Sequence, residues 1–370
     1  MDKKDLEVKQ NLVKGVNEVL SKAILDSSED EILKLSDNFQ KVIESKLDDT
    51  FVIETLDSNV LDAYKKKWEQ NTDEILGLKL NSFPTIERAI DGVQPGFIVI
   101  GADANVGKTG LLISLATDII KSNDNAFVIF VSGDDVKETI LTRMIANVGN
   151  TTKINNIKKL GYYKNDTKES KNIQNAIATT IQKIGNKVAI YDTQSIRSFP
   201  DIERAIQAHK NEGRKIVVCI DALLNLEIDK TSLEVRMENE RRAVLSKNLV
   251  KDHKVPVITT AELKKPTSKG KEESKPTIHD IAETRKYSFE ADVILLLRNK
   301  NNTDTKTEAE SIEIICDIAK NKLSHIRKEV EMDYFITRSF LKESNSNETC
   351  SVKQKEQDRA RTKKKPLKRY

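Results

Sequence analysis

Cysteines, long apolar runs and internal repeats are what this 370-residue chain has little or nothing of. Its three cysteines, Cys219, Cys316 and Cys350, are scattered and odd in number. That spacing suits neither a disulfide framework nor a metal knuckle, so reduced thiols in a cytoplasmic compartment are expected. No stretch approaches the roughly 18 consecutive apolar residues of a membrane-spanning helix, which argues against a membrane protein. The opening residues, Met-Asp-Lys-Lys-Asp, carry no apolar core of a secretory leader, and nothing points to export. Charge of one sign is scarce too: the net charge is +4, with 38% hydrophobic and 32% charged residues. Residues 351–370 hold nine Lys/Arg against Glu356 and Asp358, a net +7, so the other 350 residues sum to about −3. The basic balance belongs to a tail, which could touch nucleic acid or simply be solvated.

What is present divides into three parts. Residues 1–80 read as helical: Leu12, Val13, Val16, Val19 and Leu20 recur at helical spacing, and Val60–Trp68 form an amphipathic stretch ahead of the breaker Asn71-Thr72-Asp73. An oligomerisation segment with a linker is the expected role. Over residues 81–342, short apolar runs alternate with amphipathic helices. The runs are Phe97–Ile100, Ala126–Val131, Val188–Tyr191, Ile216–Ile220, Pro256–Thr259, Val293–Leu297 and Ile312–Ile318. Continuous apolar strands separated by helices predict an α/β fold, a central, mostly parallel sheet covered on both faces. Asn147–Asp166, Lys264–Lys275 and Asn299–Thr307 read as loops, and residues 343–370 as a basic disordered tail.

One motif carries chemistry. Ala102, Asp103, Ala104, Asn105, Val106, Gly107, Lys108 and Thr109 fit the P-loop pattern [AG]-x-x-x-x-G-K-[ST], between a strand (FIVIGA) and a helix that opens with Gly110 (GLLISLATDII). Such a loop turns its backbone N–H groups onto phosphates, with the helix dipole behind them. Lys108 offers a charge to the β- and γ-phosphates, and the Thr109 hydroxyl can ligate Mg²⁺. ATP with Mg²⁺ is therefore the expected cofactor. A second strand, Lys215–Ile220, ends in Asp221, a carboxylate suited to the metal's coordination sphere. Asp134 and Asp135 follow the strand Ala126–Val131, and a parallel sheet delivers them to the P-loop edge. Either can orient an attacking water, or cap the next helix.

The order of these elements resembles the C-terminal motor domain of DnaB-type replicative helicases, within the RecA-like superfamily. The resemblance spans residues 60 to 335. It rests on GVQPGFIVIGA, FVSGDDVKETILTRMIA, KVPVITTAELKK, KPTIHDIAETRKYSFEADVILLLRN and IAKNKLS, together with the P-loop. It implies an ATPase that works as a hexameric ring on single-stranded DNA, with primase or a helicase loader as further partners, in bacterial or phage-infected cytoplasm. It also implies residue roles: Asp134 as the catalytic acid, Glu262 at the sensor position, and Lys320 and Lys322 as cations reaching a neighbouring subunit's nucleotide. Three of these depart from the family's usual residues, which are glutamate at 134, glutamine at 262 and arginine at 322. The departures keep open an ATP-binding scaffold or loader with little unwinding. Loops Glu227–Arg236 and Lys264–Lys275 are candidates for the channel, with Lys264, Lys265, Lys269 and Lys271 on DNA phosphates. Neither loop holds an aromatic stacking platform, so any contact would be backbone-directed.

Overall fold

A computed structural model of the chain describes residues 58–210, 213–228, 235–264, 275–282, 284–300 and 311–344. The chain clusters into two units, Met1–Thr72 and Asp73–Tyr370. In the first, the described residues form helix α1 (Ser58–Glu69), held by a Lys65–Glu69 pair at i,i+4 and a Tyr64–Trp68 ring contact. The other helical segments expected before it lie outside the described residues.

The second unit is built on helices α2 (Pro84–Ile90), α3 (Lys108–Ser122), α4 (Lys137–Gly149), α5 (Thr167–Ile184), α6 (Phe199–His209) and α7 (Val235–His253). They surround strands β1 (Phe97–Ala102), β2 (Ala126–Ser132), β3 (Val188–Asp192), β4 (Lys215–Asp221), β5 (Val257–Glu262), β6 (Val293–Asn299), β7 (Ile312–Asn321), β8 (Glu329–Phe335) and β9 (Phe340–Glu343). The sheet order is β3-β2-β4-β5-β1-β6-β7-β8-β9. The six strands from β3 to β6 run parallel, and β7, β8 and β9 continue the sheet antiparallel. This is the mostly parallel α/β sheet that the apolar runs predict.

In β1, β2, β4, β5 and β6 those runs are continuous because each strand side chain meets a covered face, whichever way it points. Ile98, Ile100, Val128, Phe130 and Val217 join Leu111, Ile119 and Met144 of α3 and α4 in one core. The intervening Phe97, Val99, Ile129, Val131 and Val218 join Ile202, Ile206 and Leu249 of α6 and α7 in the other. Helix α3 is buried almost throughout, from Gly110 to Ile120. At about 1.5–3 kcal/mol for each buried Leu or Ile, it is a main contributor to the first core.

Two local patterns differ from expectation. Helix α4 runs on to Gly149, so Asn147 is a buried helical residue bonded to Thr117, Ser114 and the Ser339 carbonyl. Short turns, Ile154–Ile157 and Tyr162–Asn165, then interrupt what the polar composition suggested was a plain loop. Strand β8 follows a different code from the seven apolar runs. Its Val330, Met332 and Tyr334 point into the α3-side core while the residues between face outward. That alternation is the signature of a strand with one covered face.

Candidate active site

Because β1, β2, β4 and β5 are parallel, their C-terminal ends share one edge. Ser132 of β2 is opposite Asp221 of β4, and Ala102 of β1 is opposite Glu262 of β5. The P-loop leaves β1 there and enters α3, with Asn105 at φ 64° and Gly107 at φ 116°. Gly107 is required twice over. Its φ is one that side chains avoid, and a Cβ there would lie 2.8 Å from Cε1 of Tyr334. The Lys108 ammonium donates to the Ala102 carbonyl at 3.0 Å and the Asp103 carbonyl at 3.2 Å, with Glu262 at 3.8 Å. Glu262 is turned toward a cation, the one orientation in which a carboxylate suits this position.

Asp221 is buried and accepts hydrogen bonds from Thr260, at 2.6 Å, and from Thr109. Burial raises its pKa, and those two hydroxyls oppose the rise. Its carbonyl accepts the Gly133 amide at 2.5 Å, which ties the end of β4 to the loop carrying the two aspartates. The neighbours of these aspartates are different. Asp135 is paired with Arg143 of α4 at 3.1 Å. Asp134 is exposed, bonded to the Asn225 amide, and close enough to Asp221 for their charges to repel. Neither caps α4, whose N-cap is Val136 without a side-chain bond. A cleft of about 810 Å³ opens before the loop, lined by Lys108, Thr109, Arg143, Lys153, Glu262 and Tyr334 among others. That volume suits a nucleotide.

The donor set also suits a hard cation. A buried, desolvated carboxylate bonded to a hydroxyl is chemistry that Mg²⁺ would relieve, and Thr109 with Asp221 would hold it. Among the described residues no cluster of three or more His, Cys, Asp or Glu could cage a metal alone. Mg²⁺ needs none, since it keeps several waters and shares phosphate oxygens.

Lys320 and Lys322 lie at the opposite edge. Lys320 is paired with Ile294 at the start of β6, and Ile294 with Val99, three residues before the end of β1. Both ammoniums donate to the Phe289 carbonyl, and Lys320 also to that of Ser288. They therefore lie two strands across from β1, Lys320 level with its middle and Lys322 with its start, away from the P-loop at its end. Lys264 is exposed at the end of β5, its amide bonded to the Asp280 carbonyl. Lys265, Lys269 and Lys271 lie outside the described residues.

The model of the DnaB-like helicase C-terminal domain matches residues 77–339. This chain belongs to that family. Among curated relatives, the replicative DNA helicase DnaB of Mycoplasma genitalium is 23% identical over 308 residues, 80% of this chain and 63% of the relative. The replicative DNA helicase DnaC of Bacillus subtilis is 25% identical over 250 residues, 66% and 52% respectively. The chain thus spans between half and two thirds of their length. A solved ATPase domain superposes with a TM-score of 0.66 at 20% identity, covering 78% of this chain and 99% of that one. A DnaB-like replicative helicase, solved in a study of its interactions with primase, gives 0.65 at 18% identity, covering 90% and 76%. These likenesses support the RecA-like, DnaB-type fold. Among the described residues, no helix is long and apolar enough to cross a membrane.

Several residues of this DnaB-like site escaped the sequence motifs. Tyr334 packs its ring against both Gly107 and Gly110, from a strand that lacks a continuous apolar run. Arg143 lies nine residues after Asp134, nearly two helical turns into α4. Asn225 and Thr260 reach the acids from other strand ends. Only the alternation in β8 offered a signal, and it marked burial rather than function.

Proposed function

We propose that this chain is an ATP-driven DNA helicase motor of replication, acting as a ring of identical copies on single-stranded DNA in a bacterial or phage-infected cytoplasm. Residues 73–344 would be the motor, because Leu78, Leu80 and Glu343 are built into its core, which moves the sequence-based bounds of 81 and 342 outward; residues 1–72 would be the assembly region and linker, and 345–370 a basic tail. The observation that carries the proposal is the split of charged groups between two sheet edges. Lys108, Thr109, Asp134, Asp221 and Glu262 converge on one edge, while Lys320 and Lys322 stand on the other. In a closed ring built head to tail, the second edge of one copy would meet the first edge of the next.

In this scheme the P-loop amides and Lys108 hold the β- and γ-phosphates. Mg²⁺ held by Thr109 and Asp221 would neutralise charge on the transferred phosphoryl group. Asp134, exposed and unpaired with any cation among its described contacts, orients the water and takes its proton. Asp135 cannot share that task while Arg143 holds it. Lys320 and Lys322 of the neighbour supply positive charge late in the reaction, without the planar fork that arginine would bring. Lys264, Lys265, Lys269 and Lys271 would meet DNA phosphates, and primase or a loader would engage the assembled ring.

The test is complementation between two inactive variants. Lys108→Ala lacks a working P-loop but keeps its lysines, and Lys320→Ala has the reverse defect. Mixed together, they should recover DNA-stimulated ATPase that neither shows alone, and wild type should unwind a fork. No recovery and no DNA stimulation would sink the motor.

A second function, an ATP-binding scaffold or loader, is favoured by Glu262, which faces Lys108 where an amide could have faced phosphate. It predicts nucleotide-dependent assembly with negligible unwinding, and faster turnover in Asp134→Glu.

A further inference from the structure

The edge bearing Lys320 and Lys322 contains a buried ion pair to which none of the functional motifs assigns a role. Lys247, in the second turn from the end of α7, bonds to Asp292, the residue just before β6. Both side chains are largely buried, at 19% and 12% exposure. The Asp292 carboxylate also accepts the Phe97 amide at 2.8 Å, the first residue of the P-loop strand. The Asp292 carbonyl accepts the Lys322 amide at 2.8 Å. One residue therefore joins α7, the foot of β1 and the backbone of the lysine pair. Burial of an ion pair is costly unless both charges find good partners, so its presence needs an explanation. An apolar pair would also fill the space between α7 and β6, but it would leave the Phe97 amide without its carboxylate and place no charge beside Lys320.

We propose that Lys247 and Asp292 are positioning residues for the trans-acting lysines, fixing where Lys322 leaves its strand and which charges face Lys320. The inference rests on the motor proposal above and deepens it. The groups around Lys320 are Lys322 on its own strand, Asp292 at the head of β6, Lys247 on α7, and the Ser288 and Phe289 carbonyls of the turn Lys286–Glu290. That turn's own charges, Lys286 and Glu290, are paired with each other at 3.0 Å. Burial, then the neighbouring Lys322, lowers the Lys320 pKa to about 8; Asp292 pushes it back up and Lys247 pushes it down. Lys320 is thus a cation that begins to lose its proton just above neutral pH. Burial and Lys322 set that limit, and the two members of the pair push it in opposite directions, so removing either one alone should move it.

The measurement is the pH dependence of kcat/KM for ATP hydrolysis by the full chain, which reports groups of the free enzyme. Wild type should lose activity as pH rises through about 8. Lys320→Arg should lose that limb, because arginine stays charged. Lys247→Met should move the limb to higher pH by about half a unit or more. Asp292→Asn should move it to lower pH and reduce turnover at pH 8 several-fold, with Kd for nucleotide unchanged in both variants. If a single variant fails to fold, the neutral double variant Lys247→Met/Asp292→Asn avoids the unpaired buried charge. It should lose the spacing of the lysines, and thus trans turnover, while still binding nucleotide. A limb that stays at the wild-type position in both singles, or a double variant with wild-type turnover, overturns the positioning role. Full turnover in Lys320→Ala would instead remove the motor proposal's trans cation, a failure distinct from the first.

Discussion

Lys108 meets two carbonyls and one carboxylate in its own chain, and phosphate would replace these contacts with stronger charge-assisted ones. Lys108→Ala should weaken ATP binding roughly 10–100-fold, the size of a lost hydrogen bond to a charged group. Titration with a fluorescent ATP analogue reads this directly. Asp221 makes a different prediction, one of opposite sign for stability and activity. Burial raises its pKa in the folded chain, so the folded state holds the proton more tightly than the unfolded state. Stability then falls as pH rises from the ordinary carboxylate value through the raised one. Asp221→Asn can keep bonds to Thr109 and Thr260 without the charge. Its ligand-free Tm should exceed that of wild type at pH 7–8, with the difference shrinking toward acid. Its Mg²⁺-dependent turnover should drop roughly 10–100-fold. A variant that loses Tm at neutral pH would show that the buried charge is not a burden. At Gly107, alanine meets both a positive φ and the Tyr334 ring. About 1–3 kcal/mol of stability should be lost, measurable by urea unfolding.

At the scale of elements, the sheet and its helices were legible where burial is two-sided. All seven apolar runs became β1 to β7; in β1, β2, β4, β5 and β6 both faces are covered, while β3 at the sheet edge is half-buried and β7 carries Glu313 and Asp317 between its apolar residues. Strands β8 and β9 were not legible by that rule, since only one face is covered and Glu329, Glu331 and Asp333 interrupt the run. Their role emerges from long-range contacts. Glu343, the last residue of β9, is buried and accepts the Thr85 and Ile86 amides, which satisfies the open N-terminus of α2. Such donors cannot bond within their own helix. Glu343→Ala should leave them buried and unsatisfied, at a cost of about 1–3 kcal/mol. Chemical denaturation would check this, with nucleotide affinity measured beside it. Residues 85 and 343 are 258 positions apart, so no local pattern could have announced the contact.

For the whole molecule, the proposed division of the active site between two edges would tie turnover to association. Specific ATPase activity should fall on dilution, and excess Lys320→Ala subunits should lower wild-type turnover in proportion to the neighbouring sites they leave without a cation. An activity independent of concentration over two or more decades would argue for a site complete within one copy, or for rings too tight to dissociate. Sedimentation at the same concentrations separates those outcomes.

The amino-acid sequence by itself determined that the chain holds a P-loop on a strand and helix, that its sheet is mostly parallel, and that its motif order is DnaB-like. Those features rest on local chemistry: apolar periodicity, a glycine at a tight turn, a lysine and threonine at fixed spacing. Tertiary structure alone decided the division of labour among charges. It committed Asp135 to Arg143 and left Asp134 exposed, turned Glu262 toward Lys108, and packed Tyr334 against the P-loop glycines. It also carried Lys320 and Lys322 to the far edge, beside Lys247 and Asp292. A carboxylate's role depends on which charges surround it, and those neighbours come from strands far apart in sequence.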